Sequence, residues 1–209
     1  MSSVLYIQAS PRDDRSKSIA IADAFLADYK EVNPGDTVRK INLFQADLIP
    51  FDGLAVAAKY TILHGKEPSA EEADAWNVVQ AVIKEFASAD KYILAVPMWN
   101  FSIPYRLKQY IDILVQPACT FSYSPEKGYI GLVTGKRAFI AYARGGEYSD
   151  SKFQSLDHQK SYLETILGFI GIEDIRSVVA EPMLMAGPQV AAQRLDAAIA
   201  AARKLAREF

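Results

Sequence analysis

The feature that most constrains this chain is an alternation of two apolar patterns. Short unbroken apolar runs are separated by longer stretches whose apolar residues recur every three or four positions. Val4, Leu5, Tyr6 and Ile7 form the first run. A strand of this kind has no wet face, so it must be covered on both sides. Four further strands are read over residues 38–43, 91–96, 137–143 and 175–180. Between them lie helical stripes. A helix over 16–29 puts Ile19, Ala22, Phe25, Leu26 and Tyr29 on one face, and a second carries Trp76, Val79, Val82, Ile83 and Phe86. A helix over 104–115 opens on Pro104, which suits a first turn, and turns Leu107, Ile111 and Leu114 inward. The last two stripes are Tyr162, Leu163, Ile166, Leu167 and Ile170, then Leu195, Ala198, Ile199, Ala202, Leu205 and Phe209.

Five strands alternating with five helices imply an α/β chain with a doubly wound parallel sheet, helices on both faces and right-handed crossovers. The 209 residues suit one domain over 1–209. In such a sheet a ligand lies beyond the carboxyl ends of the strands. Two stretches break the alternation: 45–73 is long for a connection, and 120–135 reads as a hairpin excursion.

Net charge is -2, which gives no general attraction to nucleic acid or to an anionic membrane. Cys119 is the single cysteine, so no intrachain disulfide forms, as suits a reducing compartment. Residues 1–9 lack the leading positive charge of a secretory signal, and no apolar stretch nears the roughly 20 residues that span a bilayer. The expectation is a cytoplasmic protein. His64 and His158 are unpaired and lie in polar segments, so no metal site is expected.

Three loops fall at the carboxyl ends of the first, third and fourth strands. The first runs from Ser10 through Ser16, Lys17 and Ser18 into a helix. Hydroxyls, free amides and the positive helix end make it a phosphate site. It lacks the GxxxxGK of a nucleoside triphosphate loop and the GxGxxG of a dinucleotide loop, and suits one terminal phosphate. Helix capping by Ser16 or Ser18 alone is the plainer alternative. The second loop, Pro97, Met98, Trp99, Asn100 and Phe101, sets large side chains where a flat ligand would give them something to cover, a buried turn with satellite packing being the plainer alternative. Asn100 offers a donor and an acceptor to a heterocycle edge. In the third, Ala143, Arg144, Gly145 and Gly146 precede Tyr148, and the paired glycines permit positive φ and close approach to a ring. Arg144 bridging to a surface carboxylate is the alternative.

With these loops in place, the sequence resembles the FMN-dependent NADH-azoreductase family of quinone reductases over nearly its whole length. The resemblance also includes Thr120-Phe121-Ser122-Tyr123, residues 131–136 and Leu167-Gly168-Phe169-Ile170-Gly171. It implies a flavodoxin-like five-stranded sheet of order 2-1-3-4-5, one FMN per subunit, and a homodimer with two active sites at its interface. Ser10, Ser16, Lys17 and Ser18 would hold the phosphate, and 97–101 with 143–146 the isoalloxazine. Phe121, Tyr123, Tyr148 and Phe169 would border the substrate pocket, with Asn100 and Tyr123 as the catalytic candidates. Trp99, Ala143 and residues 116–119 depart from the usual pattern.

The implied reaction is ping-pong. NADH or NADPH reduces the flavin and leaves, and a quinone or azo acceptor then takes two electrons on the same face. Arg12, Arg15, Lys59 and Lys66 read equally as nucleotide contacts or as ordinary surface charges. Cys119 is a small packing residue on this reading, and Tyr148, like Tyr123, a possible proton relay. The rival readings are a flavodoxin-type electron carrier, an NAD(P)H:FMN reductase, and an α/β domain whose loops serve protein contacts.

Overall fold

The computed structural model describes residues 1–149 and 152–209. In chain order the elements are β1 (Ser3–Gln8), α1 (Lys17–Val32), β2 (Thr37–Asn42), α2 (Gly53–Leu63), α3 (Ala70–Ala87), β3 (Lys91–Pro97), α4 (Tyr105–Leu114), β4 (Phe121–Ser124), β5 (Gly128–Gly131), β6 (Arg137–Ala143), α5 (Lys160–Phe169), β7 (Asp174–Ala180) and α6 (Gly187–Ala206). The main sheet has the order β2-β1-β3-β6-β7, and all its pairings are parallel. With the β4-β5 hairpin set aside, this is the expected order 2-1-3-4-5.

Period-two alternation divides the core. Val4 and Tyr6 of β1, Ile93 and Ala95 of β3, and Phe139 and Ala141 of β6 face α1 and α6. Their neighbours Leu5 and Ile7, Tyr92 and Leu94, and Ala138 and Ile140 face the layer of α3, α4 and α5. Each of the larger aliphatic and phenylalanine side chains among them contributes roughly 1.5–3 kcal/mol by leaving water. The register Val4↔Lys91 and Lys91↔Arg137 keeps the three central strands level, so their carboxyl ends form one edge.

The long connection holds a helix that periodicity does not show, because α2 is apolar all round. Its ends are nonetheless marked. Asp52 caps it by accepting from the Leu54 and Ala55 amides. Beyond it Gly65, at φ 69°, donates to Ile62 O and Lys66 donates to Thr61 O, a Schellman stop. Ser69 and Glu72 then form a capping box for α3. The long stretch is structured rather than a loop, and the described residues form six α-helices rather than five, α2 packing on α3.

The expected hairpin is present as β4-β5, paired Phe121↔Gly131 to Ser124↔Gly128. It is held to the end of α5 through Val133, whose amide donates to Ile170 O at 2.8 Å. At the opposite edge of the sheet from the three loops, Lys91 Nζ donates to Tyr29 Oη at 2.9 Å, and the Tyr29 hydroxyl donates to Asp36. The Ser2 amide donates to the same carboxylate at 2.6 Å. The Ser2 and Tyr29 hydrogen bonds hold the Asp36 carboxyl below its ordinary range.

Candidate active site

Backbone hydrogen bonds bring the three loops together. Ala9 donates to Ala95 O at 3.0 Å and Met98 to Ala143 O at 2.9 Å. Between them lies a cleft of about 220 Å³, walled by Ser10, Ser16, Lys17 and Ser18, by Pro97, Met98 and Trp99, and by Ala143, Arg144 and Gly145. Arg12, Met183 and Leu184 complete the wall. Sequence reading missed the last two. Their only signal is that they follow the fifth strand on the same edge. The Met183 amide donates to Arg144 O at 2.8 Å and that of Leu184 to Gly145 O at 3.0 Å, so this segment clasps the third loop.

In the first loop Ser10, Ser16 and Ser18 are buried polar residues. Ser16 caps α1 by accepting from the Ile19 amide, and its Oγ lies 3.1 Å from that of Ser18. The cap and the anion cradle are thus one structure. The Lys17 and Ser18 amides have no backbone acceptor among the described residues, and the positive end of a 16-residue helix stands behind them.

The second loop is a tight two-residue turn. Trp99 and Ser102 exchange backbone hydrogen bonds of 2.9 Å in both directions. Asn100 and Phe101 between them stand at φ 48° and 67°. Positive φ at both central residues defines a type I′ turn. Asparagine tolerates that region, whereas phenylalanine is strained there by about 1–3 kcal/mol. The amides of Asn100 and Phe101 have no partner among the described residues. Trp99 stands between the cleft and a larger open groove of about 950 Å³, which Asn100 also lines with Phe51, Lys59, Tyr105 and Tyr162. Neither Asn100 nor Phe101 walls the smaller cleft.

The third loop differs from expectation in two respects. Gly145 and Gly146 are not at positive φ. Their lack of a side chain matters because a β-carbon on Gly145 would meet Leu184 at 3.1 Å, and one on Gly146 would meet Met185 Sδ at 3.0 Å. Arg144 touches the cleft, yet its guanidinium is buried in an ionic knot instead of bridging to a surface carboxylate. Its Nη2 lies 2.8 Å from Asp157 Oδ2, its Nη1 3.4 Å from Glu181 Oε2, and its Nε donates to Gln159 Oε1 at 2.9 Å. Glu181 also accepts from the Tyr148 and Ser149 amides, at 3.0 Å each. Gln159 and Glu181 went unnoticed in the sequence, where nothing distinguishes them from surface polar residues.

The expected pocket residues divide into two groups. Tyr148 lies beside the turn, its ring edge-on to Phe101 at 6.1 Å between centroids. Phe121, Tyr123 and Phe169 gather with Tyr129 around the hairpin, with Phe121 and Phe169 centroids 4.8 Å apart. None of these four walls the cleft of the same chain, and Tyr123 and Tyr129 are 63% and 65% exposed. His64 and His158 are exposed. Among the described residues no group of three or more His, Cys, Asp or Glu could hold a metal ion. Burial pushes the half-buried Cys119 thiol up, away from thiolate chemistry. No helix among the described residues is long and apolar enough to cross a membrane.

Comparison with known proteins agrees with this geometry. A family model described as flavodoxin-like fold matches residues 2–206. An FMN-dependent NADH:quinone oxidoreductase of Nitratidesulfovibrio vulgaris (strain DP4) is 51% identical over 210 residues, covering 100% of each chain. The crystal structure of an azoreductase from Bacillus anthracis str. Sterne superposes with a TM-score of 0.91 at 32% identity, covering 100% of each chain. An FMN-dependent NADH-azoreductase from Bacillus anthracis str. Ames Ancestor, solved in complex with FMN, gives a TM-score of 0.84 at 31% identity, over 99% of this chain and 100% of that one.

Proposed function

The chain belongs to the flavodoxin-like fold family, and from its cleft and the relatives it resembles we propose an FMN-dependent oxidoreductase that takes electrons from NADH and passes them in pairs to quinones and aromatic azo compounds. The observation that carries this reading is the cleft itself. Three buried hydroxyls and a helix N-terminus stand at one end, and a slot between Trp99 and Gly145 at the other. Those residues fit FMN: three hydroxyls with the free Lys17 and Ser18 amides for a phosphate, and a slot between Trp99 and Gly145 for a flat heterocycle, with the unpartnered Asn100 and Phe101 amides in the turn just beyond Trp99.

When bound, FMN supplies hydride acceptance and two-electron donation. The chain supplies position and electrostatics. Ser10, Ser16, Ser18 and the first amides of α1 would hold the phosphate, with Lys17 adding charge. Pro97, Met98, Trp99, Ala143, Gly145 and Gly146 would flank the ring system, and the Asn100 and Phe101 amides would donate to its polar edge. The Arg144 charge is compensated by Asp157 and Glu181, so that residue would support the ring loop by its backbone. The groove beside Trp99 gives donor and acceptor one shared entry, which makes them alternate. Its aromatic lining of Phe51, Trp99, Tyr105 and Tyr162 favours an enzyme pocket for flat acceptors over the charged docking face of an electron carrier. Asn100 would orient the acceptor there. Tyr148 beside the turn, or bulk water, would hand the product its proton.

The reading extends to a single domain, a cytoplasmic homodimer, and no metal, membrane or nucleic-acid partner. The dimer is supported by exposed apolar surface at the hairpin and at the cleft lip, where Leu184 and Met185 are 79% and 75% exposed. In a two-fold pair the Phe121, Tyr123 and Phe169 cluster of one copy would border the other's groove. The test is the visible spectrum of the purified protein, followed anaerobically through NADH and then a benzoquinone. Bands that bleach with NADH and return with quinone are expected. A protein that stays colourless and takes up no added FMN would overturn the assignment.

A further inference from the structure

Gln159 is fully buried, yet it touches neither the cleft nor the groove. Its Nε2 donates to Val96 O at 3.0 Å, and its Oε1 accepts from Arg144 Nε at 2.9 Å. Val96 directly precedes the second loop, and Arg144 belongs to the third. One side chain therefore fastens both loops through bonds that no water can replace. The residues before it act on the same loops. The His158 amide donates to Phe101 O at 3.0 Å, and Ser102 Oγ donates to His158 O at 3.4 Å. Asp157 pairs with the Arg144 guanidinium through Oδ2. Through Oδ1 it accepts from the Gln159 and Lys160 amides at 3.1 and 2.9 Å, tying the clamp to the start of α5.

We propose that residues 157–159 are a three-point clamp that aims the two ring-side loops, with Gln159 as its central positioning residue. The inference rests on the reading of the cleft as an FMN site. Its physical basis is the strained turn. A left-handed Phe101 persists only where the surroundings fix it, and the contacts to Phe101 O and Ser102 Oγ come from His158. The unpartnered Asn100 and Phe101 amides take their direction from that hold. Hydrogen bonds at a flavin's polar edge tune its electronics, so the clamp sets affinity and potential from outside the site.

The test is Gln159→Leu, read by the FMN dissociation constant, the reduction potential of bound FMN and the melting temperature of the apoprotein. The expected result is an affinity for FMN about tenfold weaker in a folded protein, with a displaced potential. A purely structural role would lower the melting temperature and leave both flavin readouts alone, and that result overturns the proposal. Should Gln159→Leu fail to fold, Asp157→Asn decides, because asparagine retains an Oδ1 acceptor for the Gln159 and Lys160 amides and removes the carboxylate charge facing Arg144 Nη2. Weaker FMN binding with a displaced potential supports the clamp, and wild-type values for both overturn it. A wild-type chain that takes up no FMN overturns the functional reading and the clamp together. Wild-type binding beside an unaffected variant overturns the clamp alone.

Discussion

A β-carbon on Gly131 would stand 2.3 Å from the backbone nitrogen of Gly171, so β5 and the end of α5 meet backbone to backbone. Gly131→Ala forces them apart. Overpacking of this kind costs about 1–3 kcal/mol. The melting temperature should fall by several degrees, and the displaced aromatic hairpin should weaken self-association. Calorimetry and light scattering check both. An unchanged melting temperature would show that the helix end yields freely.

The turn at Asn100 and Phe101 gives a comparison of two variants. Phe101→Gly and Phe101→Ala lose the same ring, but only glycine relieves the left-handed strain. The glycine variant should be the more stable by about 1 kcal/mol, read from urea unfolding of the apoproteins. The reverse order would argue against a left-handed residue at this position.

Ser16 and Ser18 separate capping from ligand binding. Ser16→Ala should destabilise the apoprotein by about 1 kcal/mol through the lost cap, and Ser18→Ala should not. Both should weaken FMN binding about tenfold, while riboflavin, which has no phosphate, binds each variant as it binds wild type. Fluorescence titration with both flavins measures this. Because the two hydroxyls lie 3.1 Å apart, the double variant should lose less than the sum of the single losses.

Asp36 contributes acid sensitivity. Its folded pKa lies below the unfolded value. Its stabilisation is therefore present above the unfolded pKa of about 4 and is lost as pH falls through the folded one. Asp36→Asn should be less stable than wild type at pH 7, and the gap should narrow toward pH 3. Denaturation midpoints at the two pH values test it, and a gap that stays constant would sink the idea.

Much of this was legible in the sequence because the relevant signals are local. Val4 to Ile7 needs two covers wherever it sits, and Leu107, Ile111 and Leu114 mark one helix face without knowledge of the partner. Since loops after parallel strands share an edge, Ser16, Trp99 and Gly145 could be grouped before any coordinate was known. What stayed hidden depends on partners distant in sequence. Gln159 becomes distinctive only once Val96 and Arg144 reach it. Gly145 looked like a conformational glycine, whereas its constraint is Leu184, on the segment after β7. Helix α2 was missed because its uniform apolarity carries no period, although Asp52 and Gly65 marked its ends.

Helix α2 packs chiefly on α3 and contributes only Ala55 and Ala58 to the buried set, while its Lys59 lines the open groove. Selection can therefore act on it nearly alone. A lineage could exchange this helix and admit a new acceptor while the phosphate cradle and the ring loops, anchored elsewhere, go on binding the same flavin.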